Sequence, residues 1–414
     1  MTVAGRLLVV LLLACGPAHG SGSSHDGSPH DGSSHDGYPH DGYPHEDEPI
    51  GTVRQVYDGQ LLPDIQVNTF RNIHRLFPTR TVRAAGTPRP LPAAAETLEN
   101  FRFESRGRRW DLYDYLSVNR VAGMLVVKDG EVAFEYYGLG NGPETRWMSM
   151  SVVKSMTATL VGMAIHDGHI DSLDDTLERY LPRFAGSAYD GVTVRQLLQM
   201  ASGVRWNETY TDPASDRRAM LEAQLAQEPG AILDLMASLP RAAAPGTRWN
   251  YSTGETQVVG ALVAAATGKP VAEYLSEKIW QPAGMATDAT WWLAAPGGLE
   301  IGGSGLSATL RDYARFGQFM LEGAVVAGEP ALPEGWIEAA TAPQRIGGET
   351  VEYGYMWWPL DEGAYAAIGI FGQFVYVHPA DRLVVALWSA QPKPEGTDAI
   401  DEYVFFNALA AALR

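Results

Sequence analysis

A serine and a lysine three residues apart, Ser151 and Lys154, form the pattern in this chain that most directly suggests chemistry. On a helix, residues three apart lie on the same face, so the amine can reach the hydroxyl. A serine in the first turn of a helix also lies near unpaired backbone N–H groups and the positive end of the helix dipole. A hydroxyl, an amine and backbone donors are the parts that acyl transfer needs. The pair alone is equally compatible with a capped helix start and an exposed lysine.

Two later stretches supply the other groups that a serine nucleophile requires. Tyr251 lies in a loop just before a predicted helix, and Gly372 and Gln373 lie at the start of a predicted strand. A desolvated lysine, or a tyrosine held as phenolate by a nearby ammonium, can take the proton of a serine. A backbone N–H beside a glycine can approach a developing oxyanion without hindrance from a side chain.

The three stretches together resemble a known family. Their order and approximate spacing are those of the three motifs of serine β-lactamases and penicillin-binding proteins, here Ser151-Val-Val-Lys154, Tyr251-Ser-Thr253 and Ile370-Phe-Gly372. The tyrosine in the second motif is typical of the class C-like branch. The surrounding sequence, from about Arg71 to Leu413, is similar to 6-aminohexanoate-dimer hydrolases and related carboxylesterases, as in Glu144-Thr-Arg-Trp147 and Tyr210-Thr-Asp-Pro213.

The resemblance implies a role for each matched residue. Ser151 is the acylated nucleophile, and Lys154 and Tyr251 share the duties of general base and general acid. The backbone N–H groups of Ser151 and Gln373 form the oxyanion hole. Tyr210 falls in the loop where related hydrolases have a tyrosine that contacts the substrate. Which of Lys154 and Tyr251 is the base in the resting enzyme stays open at this point.

Two departures from the family pattern bear on the substrate. The second motif ends in Thr253 instead of asparagine, and the third has Ile370-Phe371 where the family has lysine or histidine. A site without that cation is expected to bind the carboxylate of a β-lactam poorly. An apolar Phe371 favours a neutral or weakly polar acyl substrate. We therefore expect Thr253, Phe371 and Gly372 to contact the substrate.

The predicted elements indicate an α/β (α+β) protein with a β-lactamase-like fold. An Asp-Gly turn joins two β-rich runs over residues 123–137, which predicts a hairpin. Three more strands are predicted near the other end of the chain, followed by a terminal helix over residues 401–413. Strands at both ends with helices between them imply one antiparallel sheet, flanked by helices, with a mainly helical lobe inserted. The predicted strands near the C-terminus are 364–368, 373–378 and 383–389.

The first 20 residues resemble a secretory signal peptide. Arg6 precedes an apolar run, Leu7–Ala14, that is too short to cross a bilayer as a stable helix. Two processing routes fit: lipid attachment at Cys15, the only cysteine, which would anchor the protein to a membrane, or cleavage after Gly20. Either route predicts export, with the protein periplasmic, membrane-anchored or secreted.

The rest of the chain divides into a spacer and a catalytic domain. Residues 21–49 repeat a five-residue unit that contains His-Asp, which predicts a disordered spacer; loose metal binding by its histidines is the alternative. Residues 50–414 are predicted to form the hydrolase domain. Its parts are an extended arm (50–109), an α/β lobe (110–190 and 300–414) and a helical lobe (190–300).

Composition and missing motifs exclude several classes of function. The net charge of −18 argues against nucleic acid as a partner, and 45% hydrophobic residues are enough for a large core. Neither Gly-x-Ser-x-Gly nor His-Glu-x-x-His occurs, which argues against an α/β-hydrolase and a zinc protease. No metal or cofactor is expected, since His166 and His169 lack a third ligand.

We therefore predict an exported serine hydrolase that cleaves a small ester or linear amide through an acyl-enzyme. The alternatives are a DD-peptidase or β-lactamase, which would share all the motifs, and a non-catalytic peptidoglycan-binding protein. The complete set of Ser151, Lys154 and Tyr251 argues against the last of these. The sequence gives no indication of the oligomeric state.

Overall fold

The structure is a computed structural model that describes residues 43–95, 98, 101–396 and 399–414. From Tyr43 onward the chain forms one compact unit. The predicted signal peptide, Cys15 and the repeats up to residue 42 lie outside the described residues and stay predictions. Among the described helices, no single one is long and apolar enough to cross a membrane, although two helices joined at a 77° bend (Thr253–Thr267 and Val271–Trp280) meet that test together.

The helices are distributed along the whole described chain, and α4 and α8 are the longest. In order they are α1 (Val53–Asp58), α2 (Pro63–Arg71), α3 (Leu112–Val118), α4 (Val152–His166), α5 (Val194–Leu198), α6 (Asp216–Leu225), α7 (Ala231–Ser238), α8 (Thr253–Thr267), α9 (Val271–Leu275), α10 (Leu310–Leu321), α11 (Trp336–Thr341) and α12 (Glu402–Ala412).

The strands lie mostly in the first third and the last quarter of the chain. They are β1 (Thr79–Val82), β2 (Arg102–Ser105), β3 (Arg108–Asp111), β4 (Val121–Lys128), β5 (Glu131–Tyr137), β6 (Arg146–Met148), β7 (Ala289–Trp292), β8 (Leu306–Thr309), β9 (Val325–Val326), β10 (Glu329–Pro330), β11 (Gln344–Ile346), β12 (Glu349–Val351), β13 (Trp358–Pro359), β14 (Tyr365–Gly369), β15 (Gln373–His378) and β16 (Leu383–Ser389).

The main sheet joins strands from the two ends of the chain. Its six antiparallel strands run in the order β13-β14-β15-β16-β4-β5, so β16 pairs with β4, and Leu383 lies opposite Lys128. All seven residues of β16 are buried, because helices cover both faces of the sheet. One face packs on the main core, and the other packs on a second apolar cluster that includes residues of α3 and α12. The predicted sheet and its closure by N- and C-terminal strands are therefore confirmed.

Helices α4 and α8 lie in the core and position the motif residues. Residues 152–164 of α4 and 253–263 of α8 are all buried. A helix that is apolar around its whole circumference is held by packing on every side. The first turn of α4 carries Ser151 and Lys154, and Tyr251 precedes the first turn of α8. The fold therefore holds both motifs on rigid elements.

Two stretches differ from their predicted conformation. The arm was predicted to be extended, but residues 53–71 form α1 and α2, which pack on the core through buried side chains such as Val56 and Phe70. The sequence of residues 306–319 predicts a single helix, but Leu306–Thr309 forms β8 between β6 and β7. Helix α10 begins after Thr309, whose side chain caps the helix by accepting a hydrogen bond from the N–H of Asp312.

Residues 43–49, which were assigned to the disordered spacer, pack against the domain instead. The hydroxyl of Tyr43 donates to the carbonyl oxygen of Arg71 at 3.0 Å and accepts from the N–H of Arg146 at 3.2 Å. His45 contacts Thr145 through its Nε2 at 3.1 Å. Glu48 forms a two-point ion pair with Arg71, with N–O distances of 2.6 and 2.5 Å. Residues 43–49 therefore belong to the folded domain and not to the predicted spacer.

Replacement of Glu48 by glutamine should destabilise the fold. The change leaves the guanidinium of Arg71, whose side chain is 7% exposed, without its carboxylate. Loss of one partner of a largely buried charge pair should lower the free energy of unfolding by about 2 kcal/mol. Urea unfolding of Glu48→Gln and wild type measures this difference. Asp47→Asn, at an exposed neighbouring position, is the matched control. Equal stability of all three proteins would show that the docked segment contributes nothing.

Candidate active site

Ser151 lies on a sharp turn between strand β6 and helix α4. The turn consists of Ser149 and Met150, and Met150 has a φ of +41°, in the left-handed region that non-glycine residues rarely occupy. The N–H of Ser149 bonds to the carbonyl oxygen of Leu306 in β8 at 2.7 Å, which fixes the start of the turn. Ser151 is therefore presented at the N-terminal end of α4, where backbone N–H groups have no partner within the helix.

Lys154 lies against the nucleophile in a buried position. Its Nζ is 2.7 Å from Oγ of Ser151 and 2.9 Å from the carbonyl oxygen of Gly303. The lysine is 2% exposed, and burial lowers its pKa from 10.5 to about 7. The negative charge of Glu208 opposes this fall, and the positive charge of Arg217 adds to it. A large fraction of the amine is therefore neutral at pH 7 and able to accept a proton.

Tyr251 contacts both members of this pair. Ser151 is close enough to the phenol to lower its pKa slightly, and Nζ of Lys154 lies 5.2 Å from the centre of its ring. Burial, followed by the charge of Glu208, raises the pKa of Tyr251 far above 10. The phenol therefore keeps its proton at neutral pH. The structure brings Ser151, Lys154 and Tyr251 together, as the sequence predicted.

The turn between β14 and β15 lies beside the nucleophile. A side chain at Gly369, the last residue of β14, would lie 2.7 Å from the carbonyl oxygen of Ser149 and 3.0 Å from the nitrogen of Ser151. Only a glycine allows the strand to approach the turn this closely. Gln373 lies opposite Gly369 as the first residue of β15, so its backbone is at the same edge of the sheet. Its side chain is buried, and its Oε1 accepts a hydrogen bond from the indole N–H of Trp147 at 2.9 Å.

Phe371, which was predicted to contact the substrate, has its side chain in the core. It is 1% exposed, and its ring packs against Phe70 of α2 at 5.0 Å between centroids. Its φ of +65° lies in the left-handed region. The Cβ direction of Gly372 points at Gln391, 2.7 Å away, so this residue offers only its backbone. Ile370 is half-buried, whereas Phe371 and Gly372 are buried, so Ile370 is the most accessible residue of this motif.

Thr253 was expected to contact the substrate, but its polar atoms bind Glu208 instead. Its hydroxyl donates to Oε1 of Glu208 at 2.5 Å, and its N–H donates to Oε2 at 2.9 Å. The indole N–H of Trp206 also donates to Oε2, at 2.5 Å. Three donors thus hold one carboxylate close enough to Lys154 and Tyr251 to affect both of their pKa values. The threonine therefore positions a charge near the site.

Tyr210 is buried in a loop near the motif residues. Its ring stacks on Tyr57 of α1, with 6.3 Å between centroids and 16° between planes. Burial raises the pKa of its phenol, and the charges of Glu208 and Arg217 also act on it. Tyr210 therefore lies in the same electrostatic environment as Tyr251, which agrees with its predicted position near the site.

Three residues near the site were missed by sequence reasoning. Glu208 and Arg217 are single charges in or after a long polar loop, and no spacing rule marks them. Gly303 supplies the carbonyl oxygen that Lys154 contacts, and a backbone carbonyl carries no side-chain signal in the sequence. Glu208 lies two residues before Tyr210, so only its closeness to that tyrosine could have drawn attention to it. Within the described ranges, no group of three His, Cys, Asp or Glu side chains is arranged to hold a metal ion.

Comparison with known proteins agrees with this arrangement. The sequence model of the beta-lactamase family matches residues 118–410. A 6-aminohexanoate-dimer hydrolase of Paenarthrobacter ureafaciens is 31% identical over 345 residues, which cover 79% of this chain and 86% of that relative. The region matched by the family model contains Ser151, Lys154, Tyr251 and Gln373.

Solved structures show the same fold. A Bacillus anthracis protein named for 6-aminohexanoate-dimer hydrolase has a TM-score of 0.74 at 24% identity, covering 83% of this chain and 92% of its own. A family VIII carboxylesterase has a TM-score of 0.55 at 17% identity, covering 71% and 93%. At these identities the two structures speak only for the fold. The predicted β-lactamase-like fold is confirmed, and the chain belongs to the beta-lactamase family of hydrolases.

Proposed function

We propose that the chain is a serine hydrolase that cleaves esters or linear amides through an acyl-enzyme on Ser151. The observation that carries the proposal is the 2.7 Å contact between Oγ of Ser151 and a buried Lys154 whose pKa falls to about 7. A lysine in water is almost fully protonated at neutral pH and cannot act as a base. Burial removes this obstacle, because desolvation disfavours the ammonium form.

In the proposed first step, Lys154 acts as the base. Its neutral amine takes the proton of Ser151 while Oγ bonds to the carbonyl carbon of the substrate. The N–H groups of Ser151 and Gln373 stabilise the resulting oxyanion. Lys154 also donates a hydrogen bond to the carbonyl oxygen of Gly303. Both the neutral amine and the ammonium have an N–H for this bond, so it does not prevent Lys154 from resting in the neutral form.

Tyr251 suits the role of proton donor. Its raised pKa keeps the phenol protonated, and its position beside Ser151 and Lys154 puts that proton near the reacting centre. The phenol gives its proton to the leaving amine or alcohol as the bond to the carbonyl carbon breaks, and the ammonium of Lys154 then restores it. Water attacks the acyl-enzyme by the same transfers in reverse, which releases the acid and regenerates Ser151.

The substrate class follows from the third motif and from the relatives. Ile370 is the half-buried residue at the position where related enzymes carry a cation, so the motif offers no charge to a β-lactam carboxylate. The Paenarthrobacter relative is named for the hydrolysis of a linear amide dimer, and a structural neighbour is a carboxylesterase. These observations favour a linear ester or amide over a β-lactam.

Hydrolysis of p-nitrophenyl esters by wild type and Ser151→Ala tests this proposal. We expect the variant to lose at least about a thousandfold in kcat and to stop reacting with a fluorophosphonate probe, because no other group can form the acyl-enzyme. Wild type should hydrolyse a short ester much faster than a chromogenic cephalosporin. Residual turnover in folded Ser151→Ala near the wild-type rate would move the nucleophile elsewhere. Faster cephalosporin cleavage would favour a β-lactamase.

The rate should rise with pH through a midpoint near 7. Lys154 acts as a base only when neutral, and its pKa is about 7, so kcat/KM should increase as pH rises through this value and then level off. A pH profile of ester hydrolysis from pH 5 to 9 measures the midpoint. A midpoint above 9 would indicate that Lys154 stays an ammonium and that another group is the base.

Removing the charge of Glu208 should shift this midpoint to lower pH. Its carboxylate stabilises the ammonium form of Lys154, so in Glu208→Gln the pKa of the lysine should fall further. The pH profile of kcat/KM measures the shift. Thr253→Val is the control, since it removes a hydrogen bond to Glu208 and leaves the charge. An unchanged or higher midpoint in Glu208→Gln would contradict the assigned influence.

A further inference from the structure

Helix α1 lies outside the region that the family model matches, yet it contacts the loop that carries Tyr210. Tyr57, near the end of this helix, is 1% exposed, and its ring stacks on the ring of Tyr210. Stacked aromatic pairs of this kind contribute about 0.5 to 1.5 kcal/mol beyond the area that they bury. Tyr57, a residue of the N-terminal arm, therefore packs against one face of the Tyr210 ring.

A buried arginine fixes Tyr57 in turn. The guanidinium carbon of Arg217 lies 4.2 Å from the centre of the Tyr57 ring, and its NH2 group donates to the Tyr57 hydroxyl. Arg217 is 3% exposed, and among the described residues no carboxylate lies within 4.0 Å of its guanidinium. A buried cation without a paired carboxylate depends on such ring and hydroxyl contacts. Tyr57 thus links Arg217 to Tyr210.

The next residue of α1 holds the backbone of the same loop. Asp58 pairs with Arg218, and the NH1 group of Arg218 also donates to the carbonyl oxygen of Tyr210 at 3.2 Å. Consecutive residues of α1 therefore control the ring and the main chain of Tyr210 separately. The phenol oxygen of Tyr210 makes no hydrogen bond with any residue that the structure describes. The ring and the main chain of Tyr210 are thus both held by residues of α1 and α6.

The arm also contacts the segments on the other side of the nucleophile. Lys393 donates from its Nζ to the carbonyl oxygen of Gly59, the residue that ends α1, at 2.7 Å. Phe70 of α2 packs on Phe371, the residue between β14 and β15. The stretch 53–71 thus contacts both the Tyr210 loop and the third motif. Its position sets the spacing between them.

We propose that Tyr57 is a positioning residue that fixes the ring of Tyr210 in the wall of the site and thereby sets the affinity for longer acyl groups. This rests on the proposed function and on the expectation, implied by the family resemblance, that Tyr210 contacts the substrate; the proposal adds that this contact is with the acyl part. Tyr57 does not touch the reacting atoms. Its effect should appear in substrate binding, and it should depend on the presence of the Tyr210 ring.

A double-mutant cycle on ester hydrolysis tests the proposal. Tyr57→Leu removes the stack and should raise KM for p-nitrophenyl hexanoate about five- to tenfold, with kcat changed less than about twofold. KM for p-nitrophenyl acetate should change much less. In a Tyr210→Leu background, Tyr57→Leu should add no further loss, because the ring through which it acts is absent. Tyr57→Phe keeps the stack but loses the contact from Arg217, so it should show a smaller change in the same direction.

Arg54→Gln is the matched control. Arg54 joins α1 to Glu222 of α6 through an exposed two-point ion pair at 2.9 and 2.6 Å, and it does not contact Tyr210. Its KM should equal that of wild type. Equal losses from Tyr57→Leu with and without Tyr210 would overturn the proposal, as would a fall in kcat for both esters with KM unchanged. If Tyr57→Leu does not fold, wild-type KM values in Tyr57→Phe overturn it instead. Turnover that survives Ser151→Ala would reject the proposed function, and the cycle could still be read separately.

Discussion

The burial of Lys154 is the constraint on which the rest of the site depends. An ammonium in water has no reason to lose its proton at neutral pH, and the chain changes this by enclosing the amine between α4, α8 and the Gly303 carbonyl. As a result, neither the ammonium nor the neutral form of Lys154 is strongly favoured at neutral pH. Glu208 and Arg217 act on it with opposite signs, so the charge balance of the neighbourhood decides the proton affinity of the base.

The close packing around Lys154 explains two glycines and a threonine in the core. A Cβ at Gly303 would lie 3.3 Å from Nζ of Lys154 and 2.9 Å from Cγ2 of Thr253, so any side chain there would displace the base. Gly369 allows the third motif to reach the turn before Ser151 in the same way. Thr253 is small enough to fit beside the lysine and still reach Glu208. Packing and electrostatics thus constrain the same few positions.

The nucleophile and its neighbours could be predicted because their relation is largely local or carried by ordered motifs. Ser151 and Lys154 are related by one helical turn, and Tyr251 directly precedes a capped helix. The directions of Phe371 and Thr253 could not be predicted in this way. The ring of Phe371 packs in the core against Phe70 of α2. The hydroxyl of Thr253 bonds to the carboxylate of Glu208, 45 residues earlier in the chain. Both partners lie far away in sequence.

The strands of the main sheet could be predicted for a related reason, because each one is marked by an apolar run within its own sequence. The arm was harder to assign. Its proline- and arginine-rich composition suggested an extended surface segment, yet α1 and α2 pack on the core and contact the site. Residues 43–49 begin like one more copy of the repeat, with Tyr-Pro-His, and their contacts with Arg71 and Arg146 show that they belong to the folded domain.

The left-handed backbone of Met150 limits how the enzyme can vary beside its nucleophile. A β-branched residue would be strained at this φ, which costs on the order of 1 to 3 kcal/mol for residues outside the favoured regions. Glycine would relieve that strain, but it would remove a buried side chain from the core and leave a cavity beneath the turn. Mutational drift at this position is therefore opposed from both directions. Long unbranched side chains such as methionine tolerate this backbone conformation better than β-branched ones and also fill the buried space. The turn before the nucleophile is therefore held rigidly.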